Sequence, residues 1–355
     1  MKTLKESILS RSSHSGEGFK AQRRNLIEKW LKEYNIRNYT INDDFTIDVN
    51  GDVDIRYKEL IEFPDYVQFR MIKGYFDCSR NNLISLRGCP EKVEKSFICS
   101  NNQLTSLEGT PSEVGVDFNC RVNNITSLVG APKEVGREFE CSFNELTTLE
   151  GSPKIIKRNF NCIHNNLISL KGAPKKVDGY FDCSFNQLTS LEGAPIEVKG
   201  NFDCNSNKLI SLKGAPREVG RFFQCSFNQL TSLEGAPEKV GREFDCSNNK
   251  LTSLEGAPII VPYYFICDHN ELTTLEGAPI EVKGNFDCNS NKLISLKGAP
   301  EKVGGDFDCS YNKLTSFEDA PKEVGGDFTC YKNEILLTRK DIKRICNVRG
   351  VTHIK

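Results

Sequence analysis

Cysteine has the greatest capacity for chemistry in this chain, because thiols can form disulfides, bind soft metal ions and react with oxidants. The sequence contains fifteen cysteines. Thirteen of them recur every twenty-one residues without an insertion or deletion, at Cys78, Cys99, Cys120, Cys141, Cys162, Cys183, Cys204, Cys225, Cys246, Cys267, Cys288, Cys309 and Cys330. Such even spacing predicts one column of a repeat, not a disulfide framework.

The stacking of repeats limits what this cysteine column can do. Sulfur atoms in stacked parallel strands would lie side by side roughly 4.8 Å apart, whereas a disulfide needs Cβ atoms that converge to about 3.8 Å. Side chains in register point the same way and do not converge. We therefore expect reduced cysteines that pack as small hydrophobic residues. Metal binding and redox chemistry are the alternatives, and no cofactor is expected.

The sequence offers little that points to catalysis. It has four histidines and lacks a nucleophile elbow, a phosphate-binding loop and zinc-ligand spacing. No region outside the repeat array is large enough to house an active site. We therefore expect a protein that is not an enzyme.

The repeat also fixes which side chains point inward. Phe stands two residues before each of the thirteen cysteines and Asn three residues after it. Leu or Ile follows at five residues, Leu at eight except for Phe317 and Thr338, and Val or Ile at fifteen. One unit, residues 196–216, recurs verbatim at 280–300. These columns predict a solenoid whose units bury their apolar faces only against their neighbours.

Each unit reads as a short strand followed by an extended return. Phe202 and Cys204 alternate with Asp203, so a strand of about three to five residues would point the first two inward and the aspartate to solvent. The turn at 193–195, Gly-Ala-Pro, rules out a helix across the outer side, so the return path should be extended or polyproline-like. We expect the asparagine column to form hydrogen bonds with the backbone of adjacent turns.

The pattern F-x-C-x-x-N-x-L-x-x-L is similar to the strand segment of leucine-rich repeats, with Phe and Cys in two leucine columns. The segments 186–195 and 228–237, NQLTSLEGAP, resemble the short bacterial repeats of YopM-type and IpaH-type effectors, and the chain also resembles leucine-rich-repeat proteins of bacteria and phages. It departs from the effector repeats in its period of 21 instead of 20, its core cysteine and the Glu or Lys in place of their first proline. The resemblance covers residues 72–335 as thirteen repeats. It implies an α/β-type solenoid shaped as a horseshoe, with a concave parallel sheet that binds protein and an extended convex side.

Two terminal regions flank the array and are predicted to cap it. Residues 1–35 should form a mobile start and an amphipathic helix over 19–34, whose apolar residues are Phe19, Leu26, Ile27, Trp30 and Leu31. This helix would pack on the first repeat or dock onto another protein. Residues 36–71 should form a cap that includes a two-residue hairpin at Asn50-Gly51.

The last segment, 336–355, should form a closing helix and a short tail, with Thr338 and Asp341 as a helix N-cap pair and Cys346 packed in the cap.

The N-terminal sequence and the composition bear on location. The first residues have no apolar core of the kind found in secretory signals, and no stretch approaches the roughly 18 apolar residues of a membrane span. We expect a cytoplasmic protein that does not cross a membrane. Export of the effector type and incorporation into a virion remain open.

The charge is distributed unevenly along the chain. Residues 1–35 carry eight Lys or Arg against four Asp or Glu, and residues 336–355 carry six against one. With a formal net charge of −1 for the whole chain, the middle is left at about −10. An acidic array repels phosphate backbones, so nucleic acid is not expected in the groove.

Two columns supply the candidate binding residues on the expected concave face. The first lies between Phe and Cys and holds acidic residues, namely Asp182, Asp203, Asp245, Asp287 and Asp308. It would serve as a solvated face, as a field that steers a basic partner, or as a cation site. The second lies two residues after Cys and holds aromatic residues, namely Phe143, Phe185, Phe227 and Tyr311. These are binding anchors or rings packed on neighbouring loops.

The sequence as a whole favours a non-enzymatic module that recognises a protein partner, a basic one, on the concave face. The alternative is a structural component of a phage particle or other assembly that makes contacts through its basic terminal segments and the helix of Trp30. The array could also act as a spacer.

Overall fold

The computed structural model describes residues 16–335 and 339–354. Residues 1–15 of the predicted mobile start and Thr338 of the predicted N-cap pair lie outside the described residues, and residues 16–18 of that start belong to the N-terminal helix. The chain is a solenoid in which successive turns add one strand to a long parallel sheet on one side and a second short strand on the other. The predicted solenoid class is confirmed.

The long sheet, called the front sheet below, has fifteen strands and pairs each phenylalanine with that of the next turn. Its strands have two or three residues, at or just below the lower end of the predicted three to five, because the chain turns directly after the cysteine. They are Val53–Asp54, Phe76–Asp77, Phe97–Ile98, Phe118–Asn119, Glu138–Glu140, Asn159–Asn161, Phe181–Asp182, Phe202–Asp203, Phe222–Gln224, Glu243–Asp245, Phe265–Ile266, Phe286–Asp287, Phe307–Asp308, Phe328–Thr329 and Thr352–His353.

The return path is extended, as predicted, and its residues also pair between turns. These back strands form sheets of seven, four and five strands. The first contains Tyr39–Ile41, Ile47–Val49, Phe69–Ile72, Lys92–Val93, Glu113–Val114, Glu134–Val135 and Ile155–Ile156. The second contains Lys176–Val177, Glu197–Val198, Glu218–Val219 and Lys239–Val240, and the third Ile260–Val261, Glu281–Val282, Lys302–Val303, Glu323–Val324 and Asn347–Val348.

Proline explains the second interruption of the back strands. The amide of Gly241 donates to the carbonyl of Val219 in the turn before it, at 2.9 Å. Pro262 occupies the equivalent position one turn later and has no N–H to donate. The ladder therefore stops between Val240 and Ile260. The first interruption, after Ile156, has no comparable explanation in the sequence.

Phenylalanine rings form the centre of the solenoid. Thirteen of them, from Phe76 to Phe328, stack from turn to turn with ring centroids 5.2–5.8 Å apart. Each ring is completely buried. Because every ring has a neighbour on both sides, burial and ring stacking stabilise interfaces that no single turn could form.

The asparagine column joins neighbouring turns by hydrogen bonds, as predicted. The Nδ2 group of Asn186 donates to the carbonyl oxygens of Cys183 in its own turn and of Cys162 in the turn before, at 3.0 and 3.1 Å. Its Oδ1 atom accepts the amide of Leu167, again from the turn before, at 3.0 Å. This one buried side chain therefore satisfies backbone groups that the turn leaves without a partner.

Glycine is required where turns approach each other closely. A Cβ atom on Gly200 would lie 2.4 Å from the carbonyl oxygen of Gly179 in the preceding turn. Gly193, which begins the Gly-Ala-Pro turn, has a φ of 91°, a conformation open to glycine and strained for other residues.

The N-terminal helix spans Gly16–Glu33 and covers the first turns. Trp30 lies 6.1 Å from both Phe63 and Phe69 between ring centroids, which favours packing on the cap over docking onto another protein. Ile27 and Leu31 are also buried. Phe19 and Leu26, predicted to belong to the same apolar face, are instead 44% exposed. No helix among the described residues is long and apolar enough to cross a membrane.

The predicted hairpin at Asn50-Gly51 is wrong. The antiparallel pair joins Tyr39–Ile41 to Ile47–Val49 through residues 42–46, where Asp44 Oδ1 accepts the Thr46 amide at 3.0 Å. Asn50-Gly51 instead lies where the chain crosses from the back strands to the first front strand. The alternating residues after it continue into a different sheet, so their pattern does not define a hairpin partner.

The C-terminal segment adds a turn to the solenoid. A helix spans Arg339–Ile345, and Cys346 after it is buried as predicted. The residues beyond do not form the predicted tail: Asn347–Val348 extends a back sheet and Thr352–His353 extends the front sheet. These strands cover the open edges that the last repeat would otherwise expose.

Replacing Asn186 with alanine tests the asparagine ladder. We expect Asn186→Ala to lower the free energy of unfolding by about 3 kcal/mol, since buried groups left without a hydrogen-bond partner cost about 1–3 kcal/mol each. Urea unfolding followed by circular dichroism measures the change, with the exposed Gln187→Ala as a control. A decrease of less than about 0.5 kcal/mol in the free energy of unfolding would contradict the proposed contribution of the asparagine ladder to stability.

Candidate functional site

The candidate residues lie on the outer face of the front sheet in two parallel columns. The acid column comprises the residues between the repeat Phe and Cys, and includes Asp182, Asp203, Asp245, Asp287 and Asp308. The aromatic column comprises the residues two positions after the cysteine, and includes Phe143, Phe185, Phe227 and Tyr311. In each column, neighbouring positions belong to adjacent turns.

The acid column is half-buried, and this corrects the expectation that Asp203 and its equivalents face solvent freely. Each predicted aspartate accepts the backbone amide two residues ahead, where the strand ends. The distance is 3.0 Å from Asp182 to Ser184 and 2.9 Å from Asp203 to Asn205. Asp245, Asp287 and Asp308 form the same bond at 2.9, 3.0 and 2.8 Å. The carboxylates therefore help to form the turn that follows each strand.

Burial alters the charge of this column. It raises the pKa of Asp203 to about 7, with the neighbouring Asp182 adding to the effect. Burial also raises the pKa of Asp287 to about 6 and shifts those of Asp182 and Asp245 upward. Near neutral pH the column therefore carries less negative charge than the sequence count implies.

The aromatic column owes its exposure to an unusual backbone conformation. All thirteen residues in this column of the repeats have a left-handed φ of 50–56°, which is uncommon for residues other than glycine. The conformation turns the chain after the strand and directs the side chain outward. Phe143, Phe185, Phe227 and Tyr311 are 41%, 50%, 60% and 58% exposed.

Part of the aromatic column forms a continuous stack. The His164 ring lies between Phe143 and Phe185, with centroid separations of 4.6 and 4.4 Å. The guanidinium of Arg121 lies over the Phe143 ring, 4.9 Å from its centroid. These rings therefore contact one another along the column while keeping an exposed edge. Arg121 was not a sequence candidate because it stands one position before the column.

A second exposed group at the opposite edge of the front sheet was missed by the sequence reasoning. The guanidinium of Arg242 lies 5.9 Å from the Phe222 ring and 5.7 Å from the Tyr263 ring. Tyr263 also contacts Tyr264 at 4.1 Å between centroids. The available signal was the replacement of glycine, four residues before the cysteine, by Arg or Tyr in consecutive repeats.

The cysteine column has the environment of packed residues. Cys162 Sγ donates to the carbonyl of Asp182 in the next turn at 3.2 Å, and the equivalent bond recurs in most repeats. Burial raises the pKa of Cys162 well above its usual value, and Cys183 behaves likewise. A buried thiol with a raised pKa is a poor nucleophile and metal ligand. Across the described ranges, no group of three or more His, Cys, Asp or Glu side chains is placed to hold a metal ion.

The solenoid with its asparagine ladder has the leucine-rich-repeat fold. Among solved structures, YopM from Yersinia pestis is similar, with a TM-score of 0.52 and 18% identity over 84% of this chain and 88% of that one. The leucine-rich repeat domain of APL1 has a TM-score of 0.51 and 16% identity over 78% of this chain and 89% of that one. At these identities the likeness concerns the fold alone. No protein-family model and no curated protein sequence matches this chain.

The buried carboxyl of Asp203 predicts a pH dependence of stability. Because its pKa of about 7 in the folded chain lies above the unfolded value of about 3.9, the protonated form favours folding. This contribution is fully present below about pH 4 and is lost as pH rises through 7.

We expect Asp203→Asn to stabilise the chain at pH 8 by at least about 1 kcal/mol, and to have little effect at pH 4. The amide can keep the turn bond, since Asn161 in the same column accepts the Ile163 amide at 3.0 Å. Urea unfolding at both pH values measures the difference, with the exposed Glu255→Gln as a control. Equal destabilisation at both pH values would show that burial does not shift this carboxyl.

Proposed function

We propose that this chain is a non-enzymatic recognition module that binds a protein partner across the face of its front sheet. The observation that carries the proposal is the aromatic column, in which four large rings stay exposed on a backbone fixed by the repeat. Rigid aromatic side chains lose little conformational entropy on binding and are common energetic centres of protein interfaces. The leucine-rich-repeat fold of YopM and the APL1 domain is consistent with a module of this kind.

The charge beside the rings favours a basic partner. Asp77, Glu140 and the five aspartates named above lie next to the aromatic column, and six of the thirteen repeats have a neutral residue at that position: Ile98, Asn119, Asn161, Gln224, Ile266 and Thr329. Negative charge at this face favours cationic groups and disfavours nucleic acid, whose binding depends on Lys and Arg. Because burial keeps part of the acid column protonated, its remaining negative charge contributes more to selecting a basic partner at contact than to attracting that partner over a long range.

A role in an assembly, through the basic terminal segments, is the second candidate. The observation in its favour is the outer side of the N-terminal helix, where Phe19 and Leu26 are exposed beside basic residues. Trp30 is not available for such contacts, since it packs into the cap.

A double substitution in the aromatic column tests the proposed function. We expect Phe185→Ala with Phe227→Ala to lose the partner that the wild-type chain captures from a lysate of its source cells, because two exposed anchors are removed. Quantitative mass spectrometry gives the readout. The thermal unfolding midpoint should stay within a few degrees of wild type, since both rings are half exposed.

The matched control replaces two exposed residues away from the front sheet. Ile210→Ala with Ile294→Ala removes similar apolar area, at 63% and 55% exposure, and should retain the partner. Equal capture by both double variants would contradict recognition by the aromatic column. If deletion of residues 1–35 alone abolished capture, the assembly role would replace the proposed one.

A further inference from the structure

A gap one turn wide interrupts the aromatic column at Ser206. Phe185 precedes this residue by one turn and Phe227 follows it by one turn. The backbone φ is 55°, 53° and 54° at the three positions, so the two rings leave the chain in the same direction. Two turns at roughly 4.8 Å each separate them by about 9.6 Å. Ser206, which is half-buried, has no ring to fill the space.

The same column contains a filled version of this gap. His164 lies one turn from Phe143 and one turn from Phe185, and its ring stacks on both at 4.6 and 4.4 Å. A planar group therefore fits between rings that stand two turns apart. The space above Ser206 is likewise flanked by two aromatic residues that stand two turns apart and share the same backbone φ, and Ser206 places no ring between them.

A second serine gap lies in the verbatim copy of this repeat, whereas Asn248, which also lies between two rings, has a larger side chain. Ser290 occupies the position of Ser206 in the unit at 280–300, and lies between His269 and Tyr311. His269 and Tyr311 are exposed and have φ values of 52° and 54°. The two gaps, named the Ser206 slot and the Ser290 slot, stand four turns apart.

We propose that each slot takes the guanidinium of an arginine from the protein partner. This inference rests on the proposed function and specifies its chemistry. Guanidinium is planar, cationic and weakly hydrated, so it can stack between two rings. The chain already uses this contact, with Arg121 over Phe143 at 4.9 Å and Arg80 over Tyr57 at 5.3 Å.

The charges around the slots favour arginine over a neutral ring. Asp182 and Asp203 lie on turns that form the Ser206 slot, and Asp287 and Asp308 lie on turns that form the Ser290 slot. Half-buried carboxyl groups next to the stacked cation shift toward the charged form when it binds, since an opposite charge lowers their pKa. Lysine carries the positive charge but has no planar group to stack between the rings, so it fits the slot less well.

The spacing of the slots defines the probe. Four turns at roughly 4.8 Å span about 19 Å, and an extended peptide covers this distance in about six residues. The probe is a fluorescein-labelled Gly/Ser peptide with two arginines six residues apart. Its matched versions carry lysine, the neutral planar citrulline, or tyrosine at both positions.

Fluorescence anisotropy with the full chain is expected to show the arginine peptide binding about tenfold more tightly than the lysine and citrulline peptides. Ser206→His fills one slot as His164 does and should weaken arginine-peptide binding about tenfold. Ser206→Ala leaves the slot open and should bind like wild type. His164→Ser opens a further slot and should strengthen binding to a peptide whose arginines match the new spacing.

Several results would overturn the arginine assignment. Equal binding of the lysine and arginine peptides would show that the surface attracts any cation through its acidic residues. Preferential binding of the tyrosine peptide would show that the slots bind aromatic groups. If Ser206→His bound the arginine peptide with unchanged affinity and had a circular dichroism spectrum like that of wild type, arginine binding at Ser206 would be excluded. If Ser206→His still captured the cellular partner while the Phe185/Phe227 variant did not, the proposed function would be retained and the arginine-binding slot would be rejected.

Discussion

In-register stacking of identical turns is the constraint on which the structure depends. Backbone hydrogen bonds, the phenylalanine stack and the asparagine ladder all join fixed positions of one turn to fixed positions of the next, so an insertion within a repeat would break all three at once. The single side chain of Asn186 forms hydrogen bonds with two cysteine carbonyls and one leucine amide, and these groups belong to two adjacent turns. The repeats keep a period of 21 residues without insertions because such insertions would break these contacts.

The same constraint gives the front face the regular surface that the proposed recognition requires. A fixed left-handed residue after each strand places one side chain per turn in a straight column, where evolution of a single position changes the surface without touching the core. Phe143, His164 and Phe185 fill three consecutive turns and stack, whereas Ser206 leaves one turn open. The side chains of the proposed recognition surface therefore change in steps of one turn, with half-buried carboxyl groups beside the rings.

Sequence reasoning succeeded wherever a property repeats along the chain. The inward Phe and Cys, the asparagine ladder and the extended return all follow from columns. It failed where the outcome depends on contacts between distant residues. Asn50-Gly51 has the signature of a hairpin, yet its flanking strands join different sheets, and the segment after Cys346 pairs with turns of the array. The half-burial of Asp203 and the left-handed φ of Phe185 could not be predicted either, because alternation along a strand indicates which face a side chain lies on and not how deeply it is buried.

Photo-crosslinking in the source cell tests the central claim, recognition by the front face, most directly. A diazirine amino acid at exposed Lys208, two residues after Ser206, would sit beside the slot, and one at Lys239 on a back strand provides the control. The account predicts a crosslinked protein from position 208 alone, with the crosslink mapped next to an arginine of that protein. Crosslinks from position 239 alone, or crosslinks to the same protein in equal yield from both positions, would contradict recognition by the front face.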